Sequence, residues 1–171
     1  MVSVDDETIL DATCGGRSIW FPTNKDRDDV LYIDRREEPA GFVHEHYNPG
    51  YEIDPDEVQD FRDLPYDDAS FDLVVFDPPH AVRKGERVLT GVGLKKWGCL
   101  RADTWQADLE AGFDELWRVL RPGGTLVFKF SNESLDFREV LELAPADPLF
   151  GTSVNDGRVH TRWFVFYKVR S

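Results

Sequence analysis

Apolar residues fall in short runs along the chain, and several of these runs stop at an aspartate. Thr8 to Ala12 carries the first, which reaches Asp11 and leads into Cys14-Gly15-Gly16, the pattern of a buried strand entering a glycine turn. Val30 to Ile33 predicts a second strand ending at Asp34, with Arg17 to Phe21 between the two as a short helix before Pro22. Residues 35 to 56 mix Glu, Pro, Gly, His and Tyr without a period and predict mostly loop, and Val58 to Phe61 predicts a third strand. Phe71 to Phe76 is almost wholly apolar and β-prone, as a strand buried on both faces of a parallel sheet must be, and it stops at Asp77-Pro78-Pro79-His80. Asp103 to Leu120 repeats apolar residues every three or four positions, at Trp105, Leu109, Phe113, Leu116, Trp117 and Leu120, with Asp103 placed to cap a helix. Arg121-Pro122-Gly123-Gly124 ends it; Thr125 to Phe130 then predicts a strand, Leu135 to Leu143 a helix and Thr161 to Val169 a long aromatic strand. Strands alternating with helices predict an open, mostly parallel α/β sheet.

Composition narrows the class. With 171 residues, 41% of them hydrophobic, the chain suits one compact domain, and we expect 1–171 to form it, with 81–101 as a basic lid loop over a substrate. Two cysteines, Cys14 and Cys99, are too few for a disulfide framework or a four-thiolate zinc site. No apolar run approaches the ~20 residues of a bilayer span, and Met1 to Thr8 is acidic where a signal peptide is basic, so a cytoplasmic location is expected. The net charge of -13 argues against a simple DNA-coating protein. That acidity comes from 21 Asp and 12 Glu, against 14 Arg and only 6 Lys, the surface chemistry expected of a halophilic protein. Against this background the positive charge is segregated: residues 81–101 sum to +5 and residues 157–171 to +4.

In open α/β sheets ligands bind at the carboxyl ends of the strands, beside the switch in strand order. Asp11 and Gly15, Asp34, Asp60 and Asp77 all stand at such ends. The glycine turn lets backbone approach a ligand, and Asp34 suits the two hydroxyls of a ribose. Asp77-Pro78-Pro79-His80 is the most specific signal. Two prolines remove two donors and stiffen the turn, leaving the Asp77 oxygens and the Pro78 carbonyl as acceptors suited to an amino group. His80 is placed to stack on a flat ring. Arg83, Lys84, Lys95 and Lys96, with Trp97 among them, form a segment able to follow phosphates and stack a base, and His160, Arg162 and Trp163 make a second such surface. His44 and His46 lack an acid or thiol at ligand spacing, so no metal is expected, and Cys14 suits packing in the turn rather than nucleophilic attack.

Taken in order, Asp11-Ala12-Thr13-Cys14-Gly15-Gly16, Asp34, Asp60-Phe61-Arg62-Asp63-Leu64-Pro65, Asp77-Pro78-Pro79-His80 and Leu120-Arg121-Pro122-Gly123-Gly124 resemble a class I S-adenosylmethionine-dependent methyltransferase. More narrowly the chain resembles amino-methyltransferases with an Asp/Asn-Pro-Pro-aromatic motif, and small phage-encoded DNA methyltransferase-like proteins. The resemblance implies a Rossmann-like, seven-stranded, mostly parallel sheet with helices on both faces and an antiparallel C-terminal strand. It implies S-adenosyl-L-methionine as cofactor, with Asp11, Ala12, Thr13, Cys14, Gly15, Gly16, Asp34, Asp60 and Phe61 around it. Asp77, Pro78, Pro79 and His80 would hold an amine, adenine N6 or cytosine N4 in DNA, while RNA, a protein glutamine, a small amine, or an inactive subunit that presents nucleic acid are the alternatives. The chain departs from the family at Arg17, where a glycine is usual, and at His80, where Tyr or Phe is usual. Monomer and homodimer remain open.

Overall fold

A computed structural model describes residues 8–44, 46, 48–85, 91–152 and 158–170. In chain order it contains β1 (Ile9–Asp11), β2 (Val30–Asp34), β3 (Glu57–Val58), β4 (Phe71–Phe76), β5 (Val82–Arg83), α1 (Val92–Trp97), β6 (Leu100–Arg101), α2 (Trp105–Val119), β7 (Leu120–Ser131), α3 (Phe137–Leu141), β8 (Phe150–Gly151) and β9 (Thr161–Tyr167). Seven strands form one sheet in the order β3-β2-β1-β4-β7-β9-β8, while β5 and β6 form a separate parallel pair. The neighbours from β3 to β7 run parallel, and β9 lies antiparallel to both β7 and β8. This is the mostly parallel Rossmann-like sheet expected from the sequence, with its switch in order beside β1 and β4.

Strand alternation assigns the core. Leu10, Leu31, Ile33, Val74, Phe76, Leu126, Phe128, Phe130, Phe164 and Phe166 turn to one face, where α2 and α3 cover them. Helix α2 buries Leu109, Gly112, Phe113, Leu116 and Val119, a 3-to-4 spacing that meets the aromatic ladder Phe76-Phe128-Phe164. The opposite face carries a smaller cluster of Cys14, Val30 and Tyr32 under Trp20 and Ile9. No helix among the described residues is long and apolar enough to cross a membrane.

Several local expectations shift. Arg17 to Phe21 is not helical; a single 3-10 turn at Pro22–Asn24 joins β1 to β2. Arg17 itself is left-handed, with φ of 50°, a conformation that glycine adopts freely and a side chain does not. Its guanidinium offsets the strain by donating to the Lys25 and Asp54 carbonyls and lying 3.9 Å above the Tyr32 ring. The third strand is Glu57–Val58, shorter and earlier than Val58 to Phe61, because Asp60 closes a tight bridge with Asp63. Strand β7 begins at Leu120, ahead of the Pro-Gly-Gly turn, because Leu120 already pairs with Phe71 and the register slips past the glycines. The basic segment is more ordered than a lid loop, with α1 and the β5–β6 pair built from it; residues 86–90 lie outside the described residues.

One close approach ties the core to the end of β4. A Cβ on Gly112 would lie 2.6 Å from the Phe61 ring and 3.3 Å from the ring of Phe76, the residue before Asp77. Gly112→Ala is therefore expected to destabilise the chain by about 1–3 kcal/mol through overpacking, read as a lower urea midpoint; an unchanged midpoint would show that Phe61 yields freely.

Candidate functional site

The carboxyl ends of β1, β2 and β4 surround one cavity of about 780 Å³, within the range of nucleoside-sized ligand sites. Ala12 to Gly16, Asp34 and Phe61 line it, as do Asp77, Pro78, Pro79 and His80, and Arg83, Lys96 and Trp97 close it from the basic segment. The structure thus brings together most of the residues singled out from the sequence. Asp11, Asp60, Lys84 and Lys95 are not on its wall.

Asp77 sits where β4 ends, and three partners fix it. Its backbone N–H donates to the Thr13 hydroxyl at 2.8 Å, tying the motif to the turn after β1. The Lys129 ammonium donates to Oδ2 at 2.7 Å, and His80 Nε2 lies 3.0 Å from Oδ1. A carboxylate offers about four lone-pair positions, so each oxygen retains acceptor capacity toward the cavity. Beyond its bond to Asp77, the His80 ring packs edge-on against Phe130 with centroids 5.0 Å apart.

The glycine turn and Asp34 form a further part of the wall. Asp34 is buried, accepts the Gly15 N–H at 3.1 Å and the Arg36 N–H at 3.0 Å, and holds the turn after β1 against the end of β2. Gly15 takes φ of 49°, and the backbone N–H of Gly16 donates to the Tyr51 hydroxyl at 3.1 Å. A Cβ on Gly16 would run into the Tyr51 ring, so glycine is what admits this contact. Tyr51 in turn donates to the Lys96 carbonyl, and Arg36 donates to the carbonyls of Lys95 and Lys96 at the end of α1. The Lys96 ammonium lies 4.6 Å from the Tyr51 ring centroid and 5.3 Å from that of Trp97, which is exposed. Helix α1 is thereby pinned as a roof. Tyr51 and Arg36 were missed by sequence reasoning because they lie in the aperiodic stretch 35–56, and Lys129 because it sits inside an apolar strand; only its charge amid Phe128 and Phe130 marked it.

Two expected cofactor contacts do other work. Asp60 accepts from the Arg62 guanidinium at both oxygens, and this pairing holds its carboxyl below the usual range; Arg62 also reaches Asp108, and Arg62 and Asp108 line the cavity in its place. Asp11 is fully buried beneath the turn, accepting from the Trp20 indole at 2.6 Å and the Thr13 N–H at 3.2 Å. Burial raises its pKa to about 7 despite those bonds. Burial likewise pushes the Cys14 thiol up, against a thiolate role.

No protein-family model and no curated protein matches the chain. Solved structures do. The chain superposes on the PH0226 protein of Pyrococcus horikoshii with a TM-score of 0.56 and 16% identity, covering 94% of this chain and 81% of that one. It superposes on the [4+2]-cyclase SpnF with a TM-score of 0.54 and 13% identity, covering 98% and 78%. The 16S rRNA N2 methyltransferase RsmC of Thermus thermophilus, solved with AdoMet and guanosine, gives 0.47 and 19%, covering 99% of this chain and 37% of that one. The chain shares the fold of the first two, a Rossmann-like, mostly parallel α/β sheet. A cyclase among its neighbours means that the chemistry has to be argued from the site.

The buried Asp11 makes stability depend on pH. The folded chain keeps this proton up to about pH 7, whereas an unfolded aspartate releases it near 3.8, so the contribution is fully present below that value and is lost as pH rises through 7. At most about 4 kcal/mol is involved. Urea unfolding of Asp11→Asn beside the parent should show the variant gaining relative stability from pH 4.5 to about 7 and levelling off above it; a gap that stays constant would contradict a neutral buried carboxyl.

Proposed function

We propose that this chain is an S-adenosylmethionine-dependent methyltransferase that modifies an exocyclic amino group of a nucleobase, with adenine N6 in DNA as the first target and cytosine N4 as the second. The observation that carries this reading is the pinned tetrapeptide Asp77-Pro78-Pro79-His80 on the cavity wall, directly across the sheet switch from the glycine turn. The residues present fit the cofactor: the cavity is of nucleoside size, Asp34 stands at the end of β2, and Gly15 and Gly16 line it without side chains to fill it. Asp34, Phe61 and residues 12–16 would hold it, with Arg62 and Asp108 at the position first assigned to Asp60. Bound there, the cofactor supplies an electrophilic methyl group.

The chain's own part is positioning. An amino group that donates one N–H to Asp77 and one to the Pro78 carbonyl has its lone pair turned out of conjugation and held in one direction. Lys129 acts as a positioning residue, since it holds the Asp77 carboxylate without lining the cavity. When the nitrogen gains its methyl it must lose a proton; Asp77 stands beside it and His80, 3.0 Å further along, passes the proton toward solvent. A base inside a duplex reaches such a cavity only when flipped out. Trp97, exposed at the mouth beside Lys96, offers it a stacking surface.

The test is incubation with methyl-labelled cofactor and separate pools of DNA, RNA and protein, followed by mass analysis of nucleosides and peptides. Label on an amino group of a DNA base supports the reading; label on RNA, on a glutamine amide or on small amines selects another substrate, and no transfer by the isolated chain points to an inactive subunit. Asp77→Ala should lower kcat by at least 10²-fold while cofactor affinity changes less than threefold; unchanged turnover would refute the role of Asp77. Replacing Lys95 and Lys96 with Glu should weaken oligonucleotide binding and flatten its dependence on salt by roughly one unit of log-log slope per lysine. A slope equal to that of the parent would remove both from the substrate path.

A further inference from the structure

The last strand carries a cation that the chemistry above leaves unused. In β9 the alternation that buries Phe164 and Phe166 against the helices puts Arg162 on the same face, with its guanidinium carbon 4.6 Å from the Phe137 ring centroid. Its Nε is buried and donates to nothing, and among the described residues no carboxylate pairs with this guanidinium. Buried donors are seldom left so, because the lost hydration is not recovered until an acceptor arrives.

Arg162 lines a second cavity, of about 650 Å³, together with Asn132, Arg138 and Arg158. Three carboxylates share the wall. Asp136 is committed to the first turn of α3, where it accepts the backbone N–H of Arg138, while Glu142 and Asp147 are exposed. The lining is therefore not uniformly basic, and the argument rests on the half-buried Arg162, whose Nε is buried without an acceptor and whose fork suits two oxygens of one anion. Position supplies the second half. Asn132 and Arg162 directly follow Ser131 and Thr161, which face each other across β7 and β9 and line the first cavity. Successive strand residues point to opposite faces, so the two cavities adjoin this strand pair from its two sides.

We propose that this second cavity is an oxyanion subsite that takes a backbone phosphodiester of the polynucleotide whose base enters the first cavity, an assignment that rests on the nucleobase reading above. Phosphate contacts of this kind fix register without reading sequence, and the contact gives a use to Arg162, one of the cations of the basic C-terminal segment.

Two measurements on the full chain test it. In a 15N–1H spectrum of arginine side chains, the Arg162 Nε–H signal, assigned by its loss in Arg162→Lys, should shift saturably with inorganic phosphate. In methyl-transfer kinetics, Arg162→Lys should raise KM for an oligonucleotide at least fivefold while leaving kcat and the KM for a free nucleoside within twofold, since the variant keeps the charge and loses the fork. A signal that ignores phosphate, or responds only to acetate or an acidic peptide, overturns the proposal. Transfer to nucleobases with an unchanged oligonucleotide KM overturns it while the nucleobase reading stands. A phosphate-dependent shift in a chain that transfers no methyl to nucleic acid leaves the oxyanion subsite and removes both the phosphodiester assignment and the nucleobase reading.

Discussion

The structure depends on how the carboxylate of Asp77 is held. Asp77 directly follows β4; its backbone N–H is held by Thr13 from the turn after β1, and its carboxylate by Lys129 from β7 and His80 from its own loop. Two prolines that follow it leave the loop little freedom. An acceptor fixed in this way costs no reorganisation when a donor arrives, which is the condition for positioning to lower a barrier. The aromatic ladder behind it serves the same end. Phe76, immediately before Asp77, packs between Phe61, Phe113 and Phe128, so the direction in which β4 delivers the carboxylate is set by close-packed rings.

Above the cavity the same economy applies to the roof. Arg36 and Tyr51 each grasp carbonyl oxygens at the end of α1, and Tyr51 also caps the Gly16 N–H, so one tyrosine connects the glycine turn to the basic segment. Gly98 completes the join. With φ of 74° it turns the chain out of α1, and a Cβ there would lie 3.3 Å from Pro79. The glycine turn, the tetrapeptide and the roof are in this way coupled through few contacts.

Much of this was legible in the sequence because it is local there. Strand ends marked by acids, the Pro-Pro turn and the 3-to-4 spacing of α2 are patterns within a dozen residues, and they placed β1, β2, β4, α2 and the tetrapeptide correctly. What escaped arises through space. Lys129 lies 52 positions from the carboxylate that it holds, and Tyr51 lies 35 from the glycine that it caps. Arg17 to Phe21 looked helical on composition, yet Arg17 is drawn into a left-handed turn by carbonyls that only the fold assembles. Asp11 and Asp60 read as ligand contacts because both end strands, but a buried indole and a neighbouring guanidinium claim them first.

The most direct measurement is a crystal structure of the chain with S-adenosylhomocysteine and an adenine-containing oligonucleotide. The account predicts the product sulfur in the first cavity beside residues 12–16, the adenine amino nitrogen within hydrogen-bond distance of Asp77 and the Pro78 carbonyl, and the Lys129 contact intact. A ligand bound elsewhere, or an Asp77 carboxylate turned away from the amino group with both its oxygens spent on Lys129 and His80, would contradict it.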